Sequence, residues 1–103
     1  MRQVTKEVVM AFINGESRKL KNTETDGKEL KLFGHVIAFR ADDGKTYATL
    51  AGWGTPTTRE RLNGLYQFTH GKRPFHQINH VQHFDGQPIG DREIFCVDEY
   101  EGT

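Results

Sequence analysis

Four Asn-Gly or Asp-Gly pairs divide the chain at intervals that suit short β-hairpins. Asn, Asp and Gly accept the positive φ angles that a two-residue type I′ turn requires at both central positions. Segments of strand-like composition flank each pair, so the pattern predicts an antiparallel β-meander. The pairs are Asn14-Gly15, Asp26-Gly27, Asp43-Gly44 and Asp85-Gly86.

The predicted strands differ in how many of their faces are apolar. The first, residues 5–13, ends in six consecutive apolar residues, which is typical of a central strand. Residues 16–25 contain one large apolar residue, Leu20, and are predicted to form a solvated edge ribbon. The acidic end, residues 98–103, is predicted to fray. Further strands are expected at residues 29–32, 36–39, 46–51, 75–84 and 94–97, with a bulge or bend at Gly34.

One helix start stands out among these strands. Thr57 and Glu60 have the spacing of a capping box, in which the Thr hydroxyl and the Glu carboxylate each accept a backbone N–H of the first turn. Leu62 begins a stripe that continues at i+3 and i+4, so residues 58–66 are predicted to form a helix of two to three turns. Gly64 favours an early end of this helix.

The single Trp, Trp53, precedes the predicted helix and falls in phase with the preceding strand. It is expected to be a core plug between sheet and helix, with an exposed anchor as the alternative. Together these features predict one domain, residues 1–103, of class α+β. Its architecture would be an antiparallel β-meander of about six strands with one short α-helix packed on the sheet.

Charge and cysteine content exclude several classes of protein. Lys and Arg number 14, as do Asp and Glu, so a bulk binder of DNA or of an anionic membrane is not expected. No apolar run reaches the roughly 18 residues needed to span a bilayer. A single Cys, Cys96, cannot form an internal disulfide, and this favours a reducing, cytoplasmic location.

Neither a metal site nor a catalytic site is expected. His76, His80 and His83 are close in sequence, but a strand would place His83 on the opposite face from the other two. They are interpreted as solvated or hydrogen-bonded histidines, with a metal site as the less favoured reading. Cys96 falls in a predicted buried strand without a neighbouring His, where a thiol is usually inert. We therefore expect a protein that is not an enzyme and needs no cofactor.

Basic and amide side chains near the predicted helix are the candidate contacts with a partner. Two arginines in a first helical turn oppose the helix dipole, which indicates a carboxylate or phosphate partner. That partner can be internal, in a salt bridge, or external. The candidates are Arg59, Arg61, Asn63, Lys72 and Arg73.

An alternative function rests on the same region. Residues 59–83 contain four Lys or Arg, four His and a single acid, with aromatic residues interleaved. Basic groups that hold phosphate beside aromatic rings that stack on bases are typical of single-stranded nucleic-acid binding. The region therefore also predicts a nucleic-acid-binding accessory protein. The aromatic residues in and beside it are Tyr66, Phe68, Phe75 and Phe84.

Two sequence patterns resemble a group of small, functionally uncharacterised proteins encoded by tailed bacteriophages. They are Leu-x-Leu-x-Gly-His-x-Ile-Ala at residues 30–38 and Gly-Trp-x-Thr-x-Thr-Thr-Arg-x-Arg-Leu-Asn-Gly-Leu at residues 52–65. The resemblance implies phage origin and expression in a bacterial cytoplasm, and it implies no activity, cofactor or residue role. The resulting hypothesis is a non-enzymatic binding protein that engages a host bacterial protein, in host takeover or anti-defence. The oligomeric state is left open.

Overall fold

A computed structural model describes residues 1–102, in which one six-stranded antiparallel sheet packs against two helices and a smaller sheet lies beside them. The helices are α1 (Gln3–Ile13) and α2 (Pro56–His70). The six strands of the large sheet, in spatial order, are β1 (Arg18–Leu20), β2 (Thr23–Thr25), β3 (Glu29–Leu32), β4 (His35–Arg40), β5 (Thr46–Thr49) and β9 (Ile94–Cys96). The small sheet consists of β6 (Phe75–Ile78), β7 (Val81–Phe84) and β8 (Gln87–Pro88).

This architecture confirms the predicted fold class. The first five strands pair in sequence order, as a meander does, and β9 returns to lie antiparallel to β5. The buried face of the sheet contributes Leu30, Leu32, Ala38 and Ala48 to a core shared with both helices. Within residues 1–102, no helix is both long and apolar enough to cross a membrane.

The prediction of a strand at residues 5–13 is wrong, because this segment is the helix α1. Its large apolar residues follow the helical spacing i, i+4, i+5 and i+8, so a helix buries all four on one face. Apolar runs of this length are ambiguous between a buried strand and a helix. The four residues are Val4, Val8, Val9 and Phe12.

The pair Asn14-Gly15 therefore ends a helix and does not form a hairpin. Gly15 has a φ of 73°, the left-handed conformation common just after a helix. Its N–H donates to the carbonyl of Phe12 at 3.1 Å, and Glu16 N–H donates to Ala11 at 2.8 Å. These bonds pair the last carbonyls of α1.

The other three pairs lie in hairpin turns, as predicted. Asp85 and Gly86 both have positive φ, as a type I′ turn requires. In the other two turns the aspartates stabilise the loop with their side chains: Asp26 accepts from two backbone N–H groups, and Asp43 accepts from Tyr47 Oη at 2.6 Å. The hydrogen bond from the Tyr47 hydroxyl is the main reason that the pKa of Asp43 lies below its usual value, and a backbone N–H of Lys45 adds to the effect.

Two further turns were not predicted, and a third lies where a bulge or bend was expected. Residues 21–22 and 79–80 divide the predicted strands 16–25 and 75–84 into the hairpins β1–β2 and β6–β7. Gly34 forms a two-residue turn with Phe33, and the irregularity of this hairpin lies between Leu30 and Lys31. The bend predicted at Gly34 is therefore observed, as a complete chain reversal, and the irregularity of the strand pairing lies outside it.

The helix α2 begins two residues earlier than the capping box predicts. Thr55 is the N-cap: its Oγ1 accepts the N–H of Thr58 at 3.2 Å, and Pro56 occupies the first helical position. Thr57 thus lies inside the helix, and Glu60 turns toward α1 instead of back to the cap. Pro at the first helical position, where its missing N–H has no partner to lose, explains the shift.

Beyond its start, α2 is longer than predicted. The stripe Leu62, Leu65 and Tyr66 is fully buried, as expected. The helix passes through Gly64 and ends at His70, followed by Gly71 at a φ of 70°. The early end predicted at Gly64 is wrong.

Gly64 allows α1 and α2 to cross closely. A Cβ atom at this position would overlap the Cγ2 methyl group of Thr5 in α1. The absence of a side chain is therefore a packing requirement, which outweighs the low helix propensity of Gly.

The acidic end does not fray over its described part up to Tyr100. The Tyr100 ring lies 5.1 Å from that of Tyr66 and 5.6 Å from that of Phe84, and its hydroxyl donates to Asp85 at 3.0 Å. This aromatic contact holds the chain end on the small sheet.

Gly64→Ala tests the helix crossing. The new methyl group is expected to lower the free energy of unfolding by about 1–3 kcal/mol, although Ala favours a helix over Gly by about 1 kcal/mol. Thr5→Ser removes the opposing methyl and keeps the hydroxyl, so the double variant should recover much of the loss. Urea unfolding followed by circular dichroism measures both. A Gly64→Ala variant more stable than the wild type would contradict the close crossing.

Candidate functional site

Arg61, predicted as a partner contact, is instead a structural residue with 1% of its surface exposed. Its Nε donates to Thr23 Oγ1 and its Nη1 to Thr5 Oγ1, both at 2.9 Å. Nη1 also pairs with the Glu60 carboxylate, and Nη2 donates to Asn22 Oδ1 at 3.3 Å. The internal alternative therefore holds for Arg61, which joins α1, the β1–β2 hairpin and α2.

Asn63 is likewise committed inside the molecule. Its Nδ2 donates to the Phe75 carbonyl and its Oδ1 accepts the Phe75 N–H, each at 2.8 Å. This pair of bonds attaches the start of β6 to α2. The side chain is buried, so Asn63 is not a surface contact as predicted.

The remaining predicted contacts do not form one surface. The Arg59 guanidinium donates to Gly54 O at 3.0 Å and Gln82 Oε1 at 2.9 Å, which attaches the first turn of α2 to the small sheet. Lys72 and Arg73 are exposed, but they follow the other end of α2. At 1.5 Å per helical residue, the end of α2 that they follow lies roughly 16 Å along the helix axis from Arg59.

Trp53 is not the predicted core plug, and the exposed alternative is the one observed. Half of its surface (50%) is exposed, and its ring packs against His35 with centroids 5.0 Å apart. Ala51 and Gly52 have φ angles of 56° and 84°, so the chain turns there and the strand alternation ends before Trp53. Leu50, which is buried, packs in the core instead.

Trp53 and Phe33 are both exposed and line the same apolar cleft, of about 330 Å³, between the β3–β4 turn and the start of α2. Phe33 is 71% exposed. We call this the aromatic cleft. Besides these two rings, its lining includes His35, Thr57 and the buried residues Leu32, Ile37 and Thr58.

Phe33 occupies a backbone position that does not favour it. Its φ is 51° and that of Gly34 is 81°, the turn geometry in which Gly, Asn and Asp predominate. A left-handed conformation costs an ordinary residue about 1–2 kcal/mol, and the exposed ring recovers little of this by burial. Sequence reasoning missed Phe33, although adjacent apolar residues before a Gly, breaking the alternation of β3, are a recognisable signal.

The structure brings together two of the three clustered histidines. The β6–β7 hairpin places His76 opposite His83, with stacked rings 5.4 Å apart, and His80 lies in the turn. The expectation that His83 faces away from His76 is wrong because the chain reverses between them. Among the residues that the structure describes, no three His, Cys, Asp or Glu side chains are placed to hold a metal ion. Cys96 lies in β9, half-buried, opposite Tyr47.

The aromatic residues of the region 59–83 do not offer a base-stacking platform. Tyr66 and Phe75 are buried and pack edge to face at 5.7 Å, with the half-buried Phe84 against both. The Tyr66 hydroxyl is buried without a hydrogen-bond partner in the described residues, and burial raises its pKa well above the usual value. These rings therefore belong to the core.

The variants Arg61→Ala and Arg59→Ala distinguish the contributions of the two arginines to stability. Removing Arg61 deprives the Glu60 carboxylate of its ion-pair partner and removes one hydrogen bond from each of the buried Thr5 and Thr23 hydroxyls, so a loss of about 3–5 kcal/mol in the free energy of unfolding is expected. Arg59 is partly exposed and binds neutral acceptors, so its loss should be no more than about 1.5 kcal/mol. Chemical denaturation of both variants measures the difference. Equal, small losses would show that Arg61 is not integral to the core.

A protein-family model matches the chain. The model of the family described as Kyanoviridae Gp96 protein matches residues 1–102. No curated protein and no solved structure matches the chain significantly. Because the match covers nearly the whole sequence, it confirms the phage origin implied by the sequence resemblance, and the chain belongs to the Kyanoviridae Gp96 family of phage proteins.

Proposed function

We propose that this phage protein is a non-enzymatic binding protein that engages a protein of its bacterial host through the aromatic cleft. The observation that carries the proposal is the exposure of Phe33 and Trp53 on one apolar cleft. Large aromatic residues in a concave apolar site are typical of the few residues that dominate protein–protein binding energy. Takeover of a host process, or suppression of a host defence, is the role that we assign to such binding.

Phe33 supports the proposal independently of its exposure. A residue whose φ of 51° favours Gly or Asn, and whose ring is mostly in solvent, contributes little to folding. Such conformations often occur at binding sites. The same argument does not apply to Arg61 and Asn63, whose hydrogen bonds explain their presence.

Binding of nucleic acid has less support. The basic residues Lys72 and Arg73 are exposed, but the aromatic rings expected to stack on bases beside them are in the core. Balanced charge also gives little general attraction for phosphate.

Phe33→Asn tests the proposal without weakening the fold. Asn tolerates positive φ, so the variant should be as stable as the wild type or more stable, by up to about 1 kcal/mol. It should nevertheless fail to bind the host protein, as should the Trp53→Ala variant. Tagged protein is incubated with host lysate, and the captured proteins are quantified by mass spectrometry.

Ile94→Ala is the matched control, because Ile94 is a large apolar residue with 59% exposure that does not line the aromatic cleft. This variant should capture the same host protein as the wild type. If Phe33→Asn and Trp53→Ala also retain it, or if all three variants lose it equally, the cleft is not the binding surface.

A further inference from the structure

The charges beside the aromatic cleft restrict what it can bind. No carboxylate and no Lys or Arg lines the cleft itself. Phe33 also lines a second hollow, together with Lys19, Lys21 and Glu24. Lys19 Nζ lies 4.0 Å from Glu24 Oε2, so the charges of these two side chains compensate each other. Lys21 makes no ion pair within the described residues, so one uncompensated ammonium group borders Phe33.

Lys21 and Phe33 project from the same end of the sheet. Strand register aligns the last residues before and after their two turns in one row, and Phe33 N–H donates to the Asn22 carbonyl at 2.8 Å. Lys21, like Phe33, has a positive φ, of 56°, in a turn where Asn or Gly is favoured. The two neighbouring turns thus each present a long side chain from a backbone position that does not favour it.

We propose that the cleft takes a peptide segment of the partner that carries a large apolar side chain with an acidic residue close beside it. This rests on the proposed function and names the chemistry of the partner. The apolar side chain fills the cleft over Leu32 and Ile37, between the rings of Phe33 and Trp53. The carboxylate reaches the Lys21 ammonium beside Phe33.

A single-stranded nucleic acid would also meet aromatic rings and a lysine here. The peptide is favoured because the floor of the cleft is aliphatic and concave, which suits a side chain better than a flat base. One uncompensated cation also matches a single carboxylate, whereas nucleic-acid sites follow several phosphates with basic groups.

The test is a selection from a displayed library of random 12-residue peptides. The library is selected separately for binding to the wild-type protein and to the Trp53→Ala variant. Peptides enriched on the wild type alone should share a large apolar residue with Asp or Glu within two positions. A synthetic peptide of that sequence is then titrated while the emission of Trp53, the only Trp in the chain, is recorded. Burial of the ring should shift the emission to shorter wavelength.

Lys21→Asn removes the ammonium and keeps a residue that tolerates the turn. This variant should bind the peptide with about threefold lower affinity, as expected for the loss of an exposed ion pair. In 1 M salt the difference in affinity from the wild type should disappear. Phe33→Asn should weaken peptide binding tenfold or more, and Lys72→Asn, remote from the cleft, should leave it unchanged. An oligo(dT) strand should not displace the peptide.

The inference is overturned if the selected peptides lack acidic residues, if none depends on Trp53, if Lys21→Asn binds as the wild type does, or if oligo(dT) competes. Those results leave the proposed function standing as long as Phe33→Asn and Trp53→Ala still lose the host protein from lysate. Retention of the host protein by these two variants refutes the proposed function whatever peptides are selected.

Discussion

The fold depends on a buried cation, the guanidinium of Arg61. Its three nitrogens donate to side chains from α1, the β1–β2 hairpin and α2, so one group fixes three elements that are distant in sequence. Arg suits this position because its donors form a rigid planar fork and it stays charged when buried, whereas a Lys ammonium could not reach partners in three directions. Glu60 supplies the compensating charge from the neighbouring residue.

Thr5 links this polar contact to the apolar packing around it. Its hydroxyl bonds to Arg61 and Glu60, while its methyl group lies where a Cβ of Gly64 would be. Arg61 and Gly64, three residues apart, lie on the same face of α2. The hydrogen bonds of Arg61 and the close approach at Gly64 therefore meet at one residue of α1, Thr5. Phe33 and Trp53 take no part in this interior, and both are exposed to solvent.

The sequence was sufficient to predict what local patterns decide, and insufficient for what distant contacts decide. Three Asp-Gly turns, the large sheet and the stripe beginning at Leu62 were predictable from spacing. An Asn-Gly pair occurs both in hairpin turns and at helix ends. Because Asn14-Gly15 was interpreted as a hairpin turn, α1 was predicted to be a strand. For the site, general tendencies misled: Arg is usually exposed and Trp usually buried. The reversal at Arg61 arises from partners 38 and 56 residues away, which no local pattern reveals.

The binding surface that we propose lies at the two turns and Trp53, because Arg61, for which the sequence left an internal and an external partner open, belongs to the interior. The most direct test of that claim is the hydrogen-exchange rate of the Arg61 Nε–H, measured by ¹⁵N NMR and assigned by its loss in Arg61→Lys. The bond to Thr23 Oγ1 predicts exchange much slower than for the Nε–H groups of the exposed Arg73 and Arg92. Exchange as fast as theirs would show that Arg61 is in solvent and would contradict this account of the protein.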